Sequence, residues 1–182
     1  MAHWIETKRL LLRELTGEDC SPEYVRWLTD SEVSRYLETR HHPQDEVSVR
    51  EFVERVNGRA DEFLFGLFLR TTDRHIGNIK VGPIHDHHGL ADISLLLGAR
   101  DCWGQGYATE AIEAISRLAF ERLGVRKLSA SMYAPNAGSR AAFLKVGYRQ
   151  EGTRRGHYEL AGERCDVIEL GLLPEDLAAL AE

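Results

Sequence analysis

The stretch Trp103-Gly104-Gln105-Gly106-Tyr107-Ala108-Thr109-Glu110-Ala111 places two glycines just before an alanine-rich helical pattern. Glycine lets a ligand approach the backbone closely. A helix start offers free amides and the positive end of the helix dipole, which together hold anions. The chemistry this spacing offers is capture of a phosphate-bearing ligand. A P-loop would need a lysine followed by Ser or Thr after its second glycine, where Tyr107-Ala108 stand. A dinucleotide fingerprint would need a small residue at Thr109, an acid at the strand end near Met132, and an early parallel βαβ unit. None of these is present. A tight strand-to-helix turn with no ligand is the remaining alternative.

Other residues invite chemistry. Asn136 stands where it can cap a helix, and Ser139 follows at its third position. His85-Asp86-His87-His88 invites a metal reading, but it sits in a loop without a fourth ligand at a set distance, so a solvated loop is expected. Cys102 abuts the glycine motif without the His/Asn pair that a cysteine nucleophile requires.

The elements that must position these groups follow from periodicity. Ile5 to Leu15 reads as a first strand. Ser21-Pro22-Glu23 starts a helix with a serine cap, a proline in the first turn and an acid, and Tyr24, Trp27 and Leu28 share its face. Glu46 to Val56 is a second helix with Val49, Phe52, Val53 and Val56 inward, ended by Asn57-Gly58. Ser34 to Gln44 is the polar connector between them. Phe63 to Arg70, His75 to Gly82 and Ala91 to Leu97 form a meander. Ala108 to Leu123 is a helix stopped by Gly124, and Val125 to Tyr133 a strand. Asn136 to Val146 is a helix, and Tyr148 to Tyr158 with Arg164 to Leu172 a closing hairpin.

The chain has 182 residues, of which 43% are hydrophobic and 29% charged, an ordinary globular profile for one domain over residues 1–182. A net charge of −6 argues against nucleic acid or an anionic membrane as a partner. Basic residues are scattered, with a local hint only at Thr153-Arg154-Arg155. Three widely spaced cysteines, Cys20, Cys102 and Cys165, fit a reducing compartment, so the cytoplasm is expected. The first residues are too charged for a signal peptide, and no apolar run nears the roughly 18 residues of a membrane span. A monomer or a homodimer is expected, the dimer being the commonest assembly.

The order strand, two helices, meander, G-x-G helix, strand, Asn-capped helix and hairpin resembles the GNAT superfamily of acetyl-CoA-dependent N-acetyltransferases over nearly the whole chain. The residues that carry the resemblance are Trp103 to Ala111, Asn136-Ala137-Gly138-Ser139 and Lys145-Val146-Gly147-Tyr148. Within it, the chain looks like the ribosomal-protein N-terminal acetyltransferases of RimJ/RimL type. A softer local likeness, in Trp27-Leu28-Thr29-Asp30, Glu32-Val33, Tyr36-Leu37-Glu38 and His75-Ile76-Gly77-Asn78-Ile79-Lys80, is to relatives in bacterial surface-sugar biosynthesis. The resemblance implies an α/β (α+β) fold: a mixed, mostly antiparallel twisted sheet of about seven strands flanked by about four helices, its strands splayed at the cofactor site.

It also implies acetyl-CoA as co-substrate, with no metal. Leu95, Leu96 and Leu97, then Arg100, then Cys102, Trp103, Gly104, Gln105, Gly106, Tyr107, Ala108 and Thr109, with Asn136, Ser139 and Phe143, are the implied cofactor residues. Asp101 stands where the family often has Gln or Arg, which leaves the pyrophosphate more to backbone. Phe143 stands where it often has a tyrosine acid, and Ser139 is the nearest replacement. The oxyanion donor is expected at a backbone amide near Leu96 or Leu97, where the strand should bulge and splay. Base candidates are Asp92, Glu38, His157 and Asp166. The acceptor, a protein N-terminus or an amino sugar, is expected between Tyr36 to His42 and the hairpin tip Gly156 to Glu163. Tyr36, Glu38, His157 and Tyr158 would bind it, and Arg154-Arg155 would meet any phosphates. Each residue has a plainer role open to it: Asn136 as a cap, Tyr36, Tyr107 and Trp103 as packing, Asp92 and Asp166 as ion-paired strand residues. A non-catalytic acyl-CoA sensor or scaffold of the same fold is the alternative function.

Overall fold

The computed structural model describes residues 4–178; residues 1–3 and 179–182, the ends of the single-domain reading, lie outside them. One eight-stranded sheet runs in the order β1-β2-β3-β4-β5-β6-β8-β7. Its strands are β1 (Trp4–Glu6), β2 (Leu10–Glu14), β3 (Phe63–Leu69), β4 (His75–Val81), β5 (Leu90–Leu97), β6 (Lys127–Tyr133), β7 (Arg149–Leu160) and β8 (Glu163–Leu172). The helices are α1 (Pro22–Thr29), α2 (Glu46–Asn57), α3 (Tyr107–Arg122), α4 (Ala137–Lys145) and the short α5 (Pro174–Ala178).

Among the described residues, eight strands and five helices match the expected counts of about seven and about four, with one hairpin and one short helix added. The strand expected over Ile5 to Leu15 is a hairpin, because the Thr7 hydroxyl accepts the Leu10 amide at 2.9 Å and turns the chain. The added helix is the single turn α5, which Pro174 opens with Glu175 and Asp176 in its first turn.

Capping fixes both helices that follow β2. Ser21 accepts the Tyr24 amide at the head of α1, and Asp45 accepts the Ser48 amide at 2.8 Å at the head of α2. The two helices bury Tyr24, Trp27, Val49 and Val53 with Leu64 and Phe68 of β3. Phe52, expected inward, is half-buried. The neighbouring strand residues Phe65 and Leu67 join Ile79, Ile93, Ile112, Ile115 and Leu128 under α3 and α4. Alternate strand residues thus fill two cores, one on each face of the sheet.

The pairing of β5 with β6 is parallel and short, covering Leu90↔Lys127 to Asp92↔Ser129. Past Asp92 the two strands part, which is the expected splay. The expected bulge is absent: β4 and β5 pair without a register shift from Gly77↔Leu97 to Val81↔Ile93. Each strand instead keeps its outer partner, β5 staying on β4 as far as Leu97. β6 stays hydrogen-bonded to β8 from Leu128 to Tyr133 and leaves with it.

Candidate active site

Because β5 and β6 are parallel, their carboxyl ends lie at the same end of the sheet, where the gap opens. The chain leaving β5 leads into α3, and the chain leaving β6 leads into α4. Two helix N-termini therefore meet the mouth of the gap.

The α3 side is built from backbone. Gly104 and Gly106 have φ of +72° and +83°. Gly106 is itself the N-cap of α3 and has no side chain to close the first amides. A side chain added at Gly104 would meet nothing within 4 Å, so the space above the loop is open. These are features of an anion cradle.

Side chains brace the loop from behind. Trp103 Nε1 donates to the Leu97 carbonyl at 2.7 Å, and Gln105 Nε2 donates to the Asp101 carbonyl. Arg9, in the turn between β1 and β2, donates through Nη1 to the Gln105 carbonyl at 2.8 Å and through Nε to Glu110 at 2.6 Å. Its guanidinium lies 4.3 Å from the Tyr107 ring centroid. The Arg9 amide and the Thr7 hydroxyl donate to the other Glu110 oxygen at 2.8 and 2.6 Å. Burial works to raise the Glu110 pKa, but the bonds from Thr7 and Arg9 outweigh it and hold the carboxyl below its ordinary range. The sequence reading missed Thr7 and Arg9. Its one available signal was Glu110, an acid in the first turn of a helix that also had to receive an anion.

Arg100 meets the loop only at the Trp103 ring, 5.9 Å from its centroid. It pairs with Glu32 and, at 3.6 Å, with Asp30 at the end of α1. Asp101 is bound by both terminal nitrogens of Arg74, at 2.6 and 3.0 Å. Cys102 is 4% exposed, so only its backbone is available.

On the α4 side, Asn136 Oδ1 accepts the Ser139 amide at 3.3 Å, as the capping reading expects. Ser139 is half-buried. Phe143 is 2% exposed and packs edge-to-face on Tyr148 at 4.9 Å, a core position.

The backbone of β5 follows from its pairing. Gly98 donates to Ile76 and Gly82 to Asp92, both at 2.9 Å. Antiparallel pairing alternates, so Asp92, Ser94 and Leu96 turn their polar groups to β4. Leu95 and Leu97 turn theirs toward the gap. Trp103 takes the Leu97 carbonyl, which leaves the Leu97 amide facing the gap.

The opposite face of the sheet holds a cavity of about 390 Å³ beneath α1, the connector and α2. Its polar wall includes Glu38, His42, Gln44, Asn78, Lys80 and Ser94. Asn78 and Lys80 on β4, and Ser94 on β5, are residues the sequence reading missed. Their signal was polar side chains alternating with Ile79 and Val81 in a strand whose two faces both had helices to cover.

Glu38 alone of the four expected acceptor residues lines this cavity. The others gather beside it on Tyr133, at the end of β6. Tyr158 stacks on Tyr133 at 5.0 Å, Tyr36 lies 5.9 Å from it, and His157 lies 4.7 Å from Tyr158. The connector and the hairpin therefore do meet. Tyr133 joins them to the cavity: its hydroxyl donates to Glu38 and accepts from Arg40 at 2.8 Å. Burial and Glu38 raise the Tyr133 pKa.

Asp92 sits at the last paired position before the gap, and desolvation raises its pKa against the pull of His85, Lys80 and Arg154. Asp166 accepts the Gly156 amide at 2.7 Å, which steadies the irregular turn of β7 between Arg154 and Tyr158. Arg154 pairs with Glu169. Among the described residues no group of three His, Cys, Asp or Glu could hold a metal ion, and no helix is long and apolar enough to cross a membrane.

The model of the acetyltransferase (GNAT) domain matches residues 9–149, most of the chain. The chain belongs to the GNAT family of acetyltransferases. It is 29% identical over 178 residues to an uncharacterized N-acetyltransferase, p20, of Bacillus licheniformis, covering 94% of this chain and 97% of that one. A GNAT-family acetyltransferase of Bacillus anthracis superposes with a TM-score of 0.80 at 25% identity, covering 95% of this chain and 99% of the other. A RimL ribosomal L7/L12 α-N-protein acetyltransferase in complex with coenzyme A shares the fold at a TM-score of 0.84 and 17% identity, over 94% and 98% of the two chains. As a GNAT protein the chain is an acyltransferase, and the mixed sheet with its splayed pair is the GNAT fold.

Proposed function

We propose that this chain, as a single domain over residues 1–182, transfers the acetyl group of acetyl-CoA to a primary amine by direct attack. The observation that carries the proposal is the open glycine cap of α3 on one side of the splay and a polar cavity on the other. Acetyl-CoA supplies an activated acyl carbon. Its pyrophosphate lies on the amides of the Gly104 to Thr109 segment, where backbone and helix dipole hold negative charge. The thioester then lies along Leu95 to Leu97. The Leu97 amide donates to the oxyanion as the amine nitrogen bonds to the carbonyl carbon.

The oxyanion then collapses and the C–S bond breaks, and Ser139 relays to the departing thiolate a proton that it takes in the same step from solvent. The amine reaches the thioester from the cavity side. Glu38, in the cavity wall, and Asp92, on β5, are the carboxylates this reading offers to draw off its proton. RimJ/RimL-type chemistry on a protein N-terminus, or acetylation of an amino sugar, are the acceptors this reading admits. The setting it assumes is cytoplasmic, with a monomer or homodimer.

Release of free thiol from acetyl-CoA, followed with a panel of primary amines, tests the proposal. Amine-dependent release supports it. Tight acetyl-CoA binding with no release for any amine would replace it with an acyl-CoA sensor or scaffold.

A further inference from the structure

Asn78 is 4% exposed, and its Nδ2 is the one buried side-chain polar atom, among the described residues, without a hydrogen-bond partner. Its orientation is fixed from behind. His75 Nε2 lies 3.0 Å from the Gly77 carbonyl and 2.8 Å from Asn78 Oδ1. The Gly77 carbonyl is an acceptor under all conditions, so Nε2 must carry the hydrogen. A ring nitrogen that donates requires the oxygen of Asn78, and not its nitrogen, to face it. The ring cannot turn away easily. It stacks on Phe68 at 4.7 Å and meets Trp27 edge-on at 5.0 Å. Burial pushes the His75 pKa down and keeps the ring neutral.

Asn78 therefore presents two N–H groups away from His75. Asn78 lines the 390 Å³ cavity, while His75 stays outside its wall. A buried, unmade donor is costly, and one in a cavity wall calls for a partner from the cavity. Lys80 and Ser94 flank it in the same wall.

We infer that Asn78 is a specificity residue that donates a hydrogen bond to an oxygen of the amine acceptor, and that His75 positions it. The inference rests on the acetyl-transfer reading and names what the acceptor must carry. Asn78 is directly opposite Leu96, a hydrogen-bonded pair whose Cα atoms are about 5.5 Å apart. The Leu97 amide is the next residue along. An oxygen held by Asn78 is thus within a few bonds of the nitrogen that attacks. Amines with a carbonyl or hydroxyl oxygen near the nitrogen satisfy this site. Alkyl amines and diamines leave the donor unmade.

The test compares glycinamide and glucosamine, which separate the carbonyl from the hydroxyl source, with propylamine and putrescine, which have no oxygen. For the unaltered protein the oxygen-bearing amines should exceed the others in kcat/KM by about tenfold or more. Asn78→Ala should remove that preference through KM and leave acetyl-CoA affinity unchanged. His75→Phe keeps the ring stack and removes the donor, so it should weaken the preference in the same way. The double variant should be no worse than Asn78→Ala, which a merely structural role for His75 would not produce. Equal use of propylamine and glycinamide, or a preference that survives Asn78→Ala, overturns the inference while amine acetylation stands. If no amine is acetylated, the transfer reading falls, and calorimetry with coenzyme A bound still decides this one. Equal glycinamide affinity in the unaltered and Asn78→Ala proteins would overturn it.

Discussion

The two sides of the splay are made of different material. The side proposed for the cofactor is backbone: consecutive amides of one loop, two left-handed glycines and a helix start, all within residues 103–109. Its side chains, Arg9 and Glu110 above all, stand behind the loop and hold its shape. The side proposed for the acceptor is side chain: Glu38 from the connector, Asn78 and Lys80 from β4, Ser94 from β5, and Tyr133 at the end of β6. On this reading the backbone takes a group common to every acyl-CoA and tolerates sequence change around it. Side chains recognise what differs between amines.

The largest effect should come from breaking the backbone side. Gly106→Val puts a β-branched residue at φ +83° and crowds the amides beside it. Strain of about 1–2 kcal/mol and the loss of charge-assisted bonds of similar size predict about a hundredfold weaker acetyl-CoA binding. Calorimetry on the folded variant measures it. Unchanged affinity would mean that the loop is not the phosphate site.

Ser139→Ala is expected next. A general acid contributes about a hundredfold in rate. The variant should lose roughly that in kcat and keep its acetyl-CoA affinity, as steady-state kinetics with binding controls would record. Equal kcat would leave thiolate protonation to solvent.

Tyr133→Phe should cost less and on the other side alone. It removes the hydroxyl between Glu38 and Arg40 and keeps the stack on Tyr158. A hydrogen bond to a charged group predicts a rise of about tenfold in acceptor KM, with acetyl-CoA affinity held. A fall in acetyl-CoA affinity instead would erase the division between the two sides.

Arg9→Ala should have the smallest effect. The pair with Glu110 is partly exposed, its side chains 38% and 16% accessible, so a loss of about 1 kcal/mol is expected in urea unfolding at pH 7. The sign of its pH dependence follows from Glu110. A carboxyl with a lowered folded-state pKa stabilises above the unfolded-state value, and that stability fades as pH falls through the folded value. The difference between Arg9→Ala and the unaltered protein should therefore shrink in acid. A difference that grows in acid would mean that Glu110 is not the group Arg9 holds.

The amino-acid sequence by itself determined the helices α1 to α4, the strands after β2 and the glycine loop, because each rests on interactions between near neighbours. Ser21, Asp45 and Asn136 cap their helices through bonds to residues three ahead, and Gly104 and Gly106 meet a local backbone demand. Tertiary structure alone decided the rest. The splay exists because β5 stays with β4 while β6 stays with β8. Arg9 reaches Glu110 because a turn near the chain start packs on the α3 helix. Asn78 faces the cavity because a buried histidine, held between Phe68 and Trp27, takes its oxygen. Tyr133 becomes a hub because the connector and the hairpin converge on one strand end. Such contacts join residues far apart in sequence, and no periodicity or spacing along the chain records them.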